Sequence, residues 1–305
     1  MRIVFMGTPD FAVASLDALI SNNFNVVAVV TAPDKPAGRG LKMSQSAVKQ
    51  FATAHNIPVL QPHKLKDSEF IDILKKLAAD LQVVVAFRML PEIVWNMPPM
   101  GTINVHGSLL PQYRGAAPIN WAVINGEKTT GVTTFKLKHE IDTGDILLQE
   151  SMNIGEDETA TEVHDRMKII GANLLVKTLK QLEEGTIQEQ PQQLTTENKH
   201  APKIFTADCQ IHWDNPVETL HNLVRGLSQF PGAITYLDGK ILKVYRSKRE
   251  LTSHQFESGK IFTDNKTYLK FSCTNGFLHL LEIQLEGKKR MPISDFLRGY
   301  TIQEN

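Results

Sequence analysis

Through the first half of the chain, short unbroken apolar runs alternate with stretches of helical spacing. "RIVFMG" (Arg2 to Gly7), "NVVAVVT", "PVLQP", "LQVVVAF" and "GTINVHG" read as strands. "DFAVASLDALI", "SAVKQFATAHN" and "SEFIDILKKLAA" between them carry apolar residues at helical intervals. Thr8 is expected to cap the first of these helices, with Pro9 at its first position. Val/Ile runs without a polar alternate belong to strands covered on both faces, so the pattern predicts a parallel sheet sandwiched by helices, an α/β fold.

After the strand-like "VTTFKL", a long helix is expected from Thr159, where "TATE" (Thr159 to Glu162) has the form of a capping box. Val163, Met167, Ile170, Leu174 and Leu182 give it an apolar stripe that suits a packing helix, and Gly185 is its natural stop. From Thr186 to about Phe205 the periodicity disappears into Gln, Thr, Pro and Asn, the composition of a linker. Beyond it "NPVETLHNLVRGL" reads as a helix. Alternating segments around Asp238-Gly239 and Asn275-Gly276 then read as hairpins. Three regions are therefore expected: a domain over 1–188, a linker over 189–206, and a small, mostly β domain over 207–305.

Composition narrows the class. Lys and Arg number 33, equal to Asp and Glu, so contact with nucleic acid has to come from local patches. Between Lys240 and Asn305 the balance is 12 basic against 7 acidic residues, densest at Lys288, Lys289 and Arg290. The two cysteines, Cys209 and Cys273, have no partners at ligand spacing, which argues against a disulfide framework and a zinc site. The first eleven residues hold one basic and about five apolar residues, too few for a signal sequence. No apolar run approaches the ~20 residues of a membrane span. A soluble cytoplasmic protein is expected, with no membrane contact, no metal and no requirement beyond a monomer.

The candidate chemistry lies in "NVHGSLLPQYRGAAP". Asn104 and His106 are two apart on an expected strand, so both side chains leave one face while Val105 points to the core. In an open α/β sheet ligands gather beyond the carboxyl ends of the strands, where this pair belongs. An amide and an imidazolium side by side can donate to an oxygen on which negative charge develops. A carboxylate favours the charged imidazole, and "IDTGDIL" offers Asp142 and Asp145. No Gly-x-Ser-x-Gly elbow surrounds Ser108, so direct transfer between two bound substrates is expected, without a covalent enzyme intermediate. "GTPDF" lacks the dinucleotide fingerprint, which excludes a nicotinamide reading. "SLLPQYRGAAP" reads as a stiff loop whose Leu109 and Leu110 could wall a pocket for a flat heterocycle.

"INVHGSLLPQYRGAAPINWAVINGEKTTGVT" with "IDTGDIL", together with "FMGTPDFA", "APDKPAGRG", "APKIF" and "EGKKRM", resembles the formyltransferases that use 10-formyltetrahydrofolate, in order and over the whole chain. The resemblance implies a Rossmann-like parallel-sheet domain followed by a small OB-like barrel. It implies 10-formyltetrahydrofolate as co-substrate and the amino group of initiator methionyl-tRNA as acceptor. It assigns catalysis to Asn104, His106 and Asp142, and folate contact to Ser108, Leu109, Leu110 and Pro111. Arg39 and Lys42 of the "PDKPAGRGLK" insert, and Lys288, Lys289 and Arg290, are the implied tRNA contacts. Transfer to another amine, or a catalytically dead RNA-binding relative, are the alternatives. One departure stands out: Phe87-Arg88 replaces a usual Tyr-Gly beside the pterin pocket, one residue closer to Leu90-Pro91.

Overall fold

The computed structural model describes residues 1–37, 42–193 and 195–303. The chain begins with β1 (Arg2–Gly7), α1 (Asp10–Ser21), β2 (Asn25–Val30), the short β3 (Lys35–Ala37) and β4 (Lys42–Ser44), and α2 (Ala47–Ala54). Then come β5 (Val59–Leu60), α3 (Ser68–Lys76), β6 (Leu81–Val85), α4 (Glu92–Trp95) and β7 (Thr102–His106). They are followed by β8 (Arg114–Gly115), α5 (Pro118–Ile124), β9 (Thr129–Lys136), β10 (Ile146–Asn153) and α6 (Ala160–Glu183). The C-terminal part holds β11 (His200–Ala201), α7 (Val217–Leu227), β12 (Ala233–Leu237) and β13 (Lys240–Leu251). It ends with β14 (Ile261–Thr263), β15 (Leu269–Cys273), β16 (Gly276–Leu285), β17 (Met291–Pro292) and α8 (Ile293–Leu297).

These elements form two compact units. The first takes in 1–114, 131–152 and 164–199; the second takes in 115–130, 153–163 and 200–305. Two segments inside the expected 1–188 region thus cluster with the C-terminal unit.

The first unit is built on the sheet β10-β9-β7-β6-β1-β2-β5. β1, β2, β5, β6 and β7 run parallel, and β9 is antiparallel to β7. Ile3, Val4, Phe5 and Met6 are all fully buried, as a doubly covered strand requires. On one face Val4, Met6, Ala28, Val30 and Val84 pack with Phe70, Ile71 and Leu74 of α3 and Val94 of α4. α1 differs from expectation by one residue. Pro9, extended at ψ 176°, occupies the N-cap position and Thr8 makes no cap.

α6 behaves as its sequence predicts. The Thr159 hydroxyl accepts from the Glu162 N–H (3.3 Å), while the Glu162 carboxylate accepts from the Thr159 N–H (2.8 Å) and hydroxyl (2.7 Å). At the other end Gly185 adopts φ +68°, a left-handed conformation that glycine takes without a Cβ penalty.

The second unit carries the antiparallel sheet β12-β13-β16-β15-β14, with β17 on β16. Among the described residues β12 and β14 do not pair, so the expected barrel is an open half-barrel. Register shifts around Arg246 bend β13, the usual way a long strand curls. Its core joins Leu220, Val224 and Leu227 of α7 to Val244, Phe271, Leu278 and Ile283.

The first hairpin turn is as expected, with Asp238 at φ +49° and Gly239 at φ +73°. The second is not: Cys273 pairs with Gly276, so the loop is Thr274-Asn275. Gly276 is required for space, since a Cβ there would lie 2.1 Å from the Glu250 carbonyl oxygen. Asn275 turns its Oδ1 onto the Val217 N–H (2.8 Å), satisfying a donor in the first turn of α7. Cys209 and Cys273 are buried and unbonded to each other. Among the described residues no helix is long and apolar enough to cross a membrane, and no His/Cys/Asp/Glu group has the makings of a metal site.

Candidate active site

β1 leads to β2 and β5 on one side and the chain then crosses to β6 and β7 on the other, so strand order reverses beside β1. That reversal opens a crevice at the carboxyl ends of the strands. There a cavity of about 400 Å³ is lined by Thr8, Ala32, Pro33, Asp34, Lys35, His63, Phe87 and Arg88.

β7 delivers Asn104 and His106 to the same edge. Asn104 sits between Val84 of β6 and Phe135 of β9, and His106 lies opposite Thr133. Val105, on the other face, packs against Gly171 of α6, where a Cβ would stand 3.3 Å from its Cγ1. The half-buried Asn104 amide has no hydrogen-bond partner among the described residues.

His106 is 7% exposed and held from two sides. Its Nε2 lies 2.9 Å from the Tyr113 carbonyl oxygen, which can only accept, so Nε2 carries the hydrogen and Nδ1 holds the lone pair of the neutral ring. Nδ1 is 3.9 Å from Asp142 Oδ2. That is too long for a direct hydrogen bond and leaves room for a bridging hydrogen-bonding group.

The two acids of the DTGD turn take different positions. Asp145 pairs with Lys138 (2.8 Å), and Asp142 faces His106. Asp142 adopts φ +54°, an uncommon left-handed backbone for a non-glycine residue. Gly144 packs so tightly on β9 that a Cβ would lie 1.5 Å from the Lys136 carbonyl oxygen. The Gln192 amide donates to the carbonyls of Asp142 (2.9 Å) and Gly144 (2.7 Å). The Gln192 oxygen accepts from Arg114 Nε (3.1 Å) and Nη2 (2.5 Å). Burial lowers the Arg114 pKa, opposed by the nearby Asp142 and Glu140 carboxylates.

The loop after β7 is pinned rather than loose. Ser108 is fully buried and donates its hydroxyl to the Gln112 carbonyl (2.6 Å), so its side chain shapes the loop. Thr133 ties the loop to β9, accepting from the Leu110 N–H (3.0 Å) and donating to the Ser108 carbonyl (2.7 Å). The Gln149 amide donates to the Leu110 carbonyl (2.9 Å). Leu110 is buried, and half-exposed Leu109 lies over Gly131, where a Cβ would meet it at 2.6 Å. Of the four expected folate contacts, Leu109 and Pro111 are the two with exposed side-chain surface.

Among the described residues Arg88 pairs with no acid. It donates to the carbonyl oxygens of His63 (3.0 Å) and Pro62, bracing one wall of the cavity. Asp34 on the same wall is held by Lys49 (2.5 Å) and Gln61 (2.7 Å), and these bonds lower its pKa.

Of the expected tRNA contacts, Arg39 and the side chain of Lys42 lie outside the described residues. Lys288 and Lys289 are exposed at the turn between β16 and β17. Arg290 forks onto Glu282, with both bonds at 2.7 Å, and lies over the Tyr245 ring, so its charge is compensated locally. The sequence pattern missed Gln192, Tyr113, Thr133 and Gln149. Gln192, Thr133 and Gln149 act across distant segments and Tyr113 through its backbone carbonyl, and only the Gly of DTGD signalled how closely that turn packs.

Residues 1–179 match the family described as "Formyl transferase" and residues 203–301 that described as "Formyl transferase, C-terminal domain". The chain is 48% identical over 312 residues to a methionyl-tRNA formyltransferase of Bacteroides fragilis, covering all of this chain and 96% of the relative. It is 53% identical over 310 residues to that of Parabacteroides distasonis, covering 98% and 96%. The fold resembles WlaRD, a sugar 3N-formyl transferase, with TM-score 0.69 at 19% identity, covering 95% of this chain and 99% of that one. It also resembles HypX from Aquifex aeolicus in complex with tetrahydrofolic acid, with TM-score 0.68 at 18% identity, covering 100% and 48%. The chain belongs to the formyl transferase family.

Proposed function

We propose that this chain transfers the formyl group of 10-formyltetrahydrofolate to the free amino group of initiator methionyl-tRNA. The observation that carries the reading is the cluster of an unpartnered Asn104 amide, a buried His106 and the facing Asp142 at the carboxyl edge of the sheet. The acceptor follows the full-length relatives.

The amine nitrogen attacks the formyl carbon, and the formyl oxygen gathers negative charge. Asn104 donates to that oxygen, a contact whose loss typically costs about 10²–10³ in rate. Tyr113 fixes the His106 tautomer, so Nδ1 is the atom that takes up the proton the amine gives away. Asp142 faces the imidazolium that results, and the 3.9 Å gap suits exchange through an intervening group. As the bond from carbon to the folate nitrogen breaks, His106 returns that proton to the leaving nitrogen. None of these steps calls on a metal ion.

Leu109 and Pro111 offer the apolar surface for the pterin. Residues 1–188 carry the chemistry and 207–305 the tRNA contact through Lys288 and Lys289, joined by 189–206. The protein works in the cytoplasm as a monomer.

The test is transfer of labelled formyl to charged initiator tRNA. Elongator methionyl-tRNA, uncharged tRNA, free methionine and an amino-sugar nucleotide serve as competitors. Turnover confined to the charged initiator is expected. Transfer to the amino sugar alone, with tRNA ignored, overturns the assignment of the acceptor.

A further inference from the structure

We propose that Gln192, in the aperiodic stretch after α6, is a positioning residue that sets Asp142 against His106. The inference rests on Asp142 being the partner of His106. Asp142 adopts a left-handed backbone conformation (φ +54°), uncommon outside glycine though less costly for aspartate than for most residues. Gln192 holds the turn on both sides of Thr143. Its Nε2 donates to the carbonyls of Asp142 (2.9 Å) and Gly144 (2.7 Å), the residues either side of Thr143. Its Oε1 accepts two bonds from Arg114, which stands one residue after Tyr113, the residue whose carbonyl holds His106. Both faces of one amide are therefore used, one on the turn that bears the carboxylate and one on the loop that fixes the imidazole.

The same segment secures the rest of that loop. Gln190 and Ile146 exchange both backbone bonds (2.8 and 2.9 Å), anchoring the segment beside β10. The Lys199 carbonyl accepts from the Tyr113 N–H (2.6 Å), and the Lys199 N–H donates to Gln112 Oε1 (2.9 Å). Gln190, Gln192 and Lys199 thus brace the site at three points. A stretch with the composition of a tether forms one wall of the catalytic geometry.

Gln192→Glu separates this role from simple packing. It keeps the side chain's size and its acceptor for Arg114, but replaces both N–H donors with an oxygen aimed at two carbonyls. Single-turnover formyl transfer should fall by about 10-fold or more in both Gln192→Ala and Gln192→Glu, with the affinities for folate and tRNA unchanged. The ratio of Gln192→Glu to wild-type rate should rise as pH falls from about 8 to about 5, because a protonated carboxyl regains one donor. Circular dichroism and melting confirm folding; if Gln192→Ala fails to fold, the near-isosteric Gln192→Glu carries the test. Asp142→Asn is measured alongside. If it is slow while Gln192→Glu matches wild type at every pH, the positioning role is refuted and the site assignment stands. If Asp142→Asn is itself as fast as wild type, the partnership with His106 fails and the role of Gln192 fails with it.

Discussion

Gly144→Ala is the substitution for which the structure sets the magnitude most directly. Gly144 does not need glycine for its dihedral angles, as its φ is not among the positive ones. It needs glycine for space: an added Cβ would stand 1.5 Å from the Lys136 carbonyl oxygen, where real Cβ atoms essentially never come closer than 3.0 Å. The obstacle is backbone at the end of β9, so the DTGD turn has to retreat by about 1.5 Å or more. Overpacking of this kind costs about 1–3 kcal/mol. The functional consequence is larger. Asp142 stands 3.9 Å from His106 Nδ1, and the retreat is a large fraction of that separation. A misplacement of about 1 Å in a catalytic arrangement can cost about 10²-fold in rate.

The expected outcome is a folded variant with a lowered Tm, near-normal affinity for folate and tRNA, and kcat for formyl transfer down by about 10²-fold. Gly185→Ala is the control. It introduces a Cβ at φ +68° with nothing within 4 Å, so it should cost about 1 kcal/mol of stability and leave kcat alone. A Gly144→Ala enzyme with wild-type kcat refutes the idea that the turn's position governs the rate.

Three further predictions concern the second unit. Burial pushes the Glu162 carboxyl up, but hydrogen bonds from the Thr159 N–H and hydroxyl and from Arg246 outweigh it and bring its pKa to about 2. A folded-state pKa below the ordinary 4.5 stabilises the protein above pH 4.5, and that stability is lost as pH falls from 4.5 toward 2. With the side chain 45% exposed, the discounted contribution is about 1 kcal/mol. Glu162→Ala should lower Tm at pH 7 and flatten the loss of stability below pH 4.5, as read by melting at pH 7 and pH 3. Lys288→Ala/Lys289→Ala should weaken tRNA binding and reduce the slope of log affinity against log salt by about 2, as read by titration at several salt concentrations. Arg290→Ala, which strips Glu282 of its fork, should lower Tm with a smaller change in that slope.

Most of the framework was legible in the pattern, and the exceptions share a cause. The buried strands announced themselves because a strand covered on both faces has nowhere to put a polar residue. The capping box and Gly185 were legible because a helix end is decided within four residues. Asn104 and His106 stood out because a two-residue spacing fixes a shared face. Asp142 could not be separated from Asp145 by sequence pattern, since the pairing of Asp145 with Lys138 depends on how the turn folds back. Asn275-Gly276 looked like a turn pair, yet the glycine serves the close approach to Glu250 and the asparagine serves α7, both across long stretches of chain. Arg290 read as a free cation because Glu282, eight residues earlier, meets it only through the pairing of β16 with β17. Gln192 sits in a stretch with no periodicity at all, so its two carbonyl partners, about fifty residues upstream, left no local trace.

The most direct measurement is the single-turnover rate of His106→Ala on charged initiator tRNA with both substrates saturating. A fall of about 10²-fold or more with tRNA affinity unchanged is the expected result. A rate near that of wild type contradicts the assignment of His106 and, with it, the chemistry placed at the carboxyl edge of the sheet.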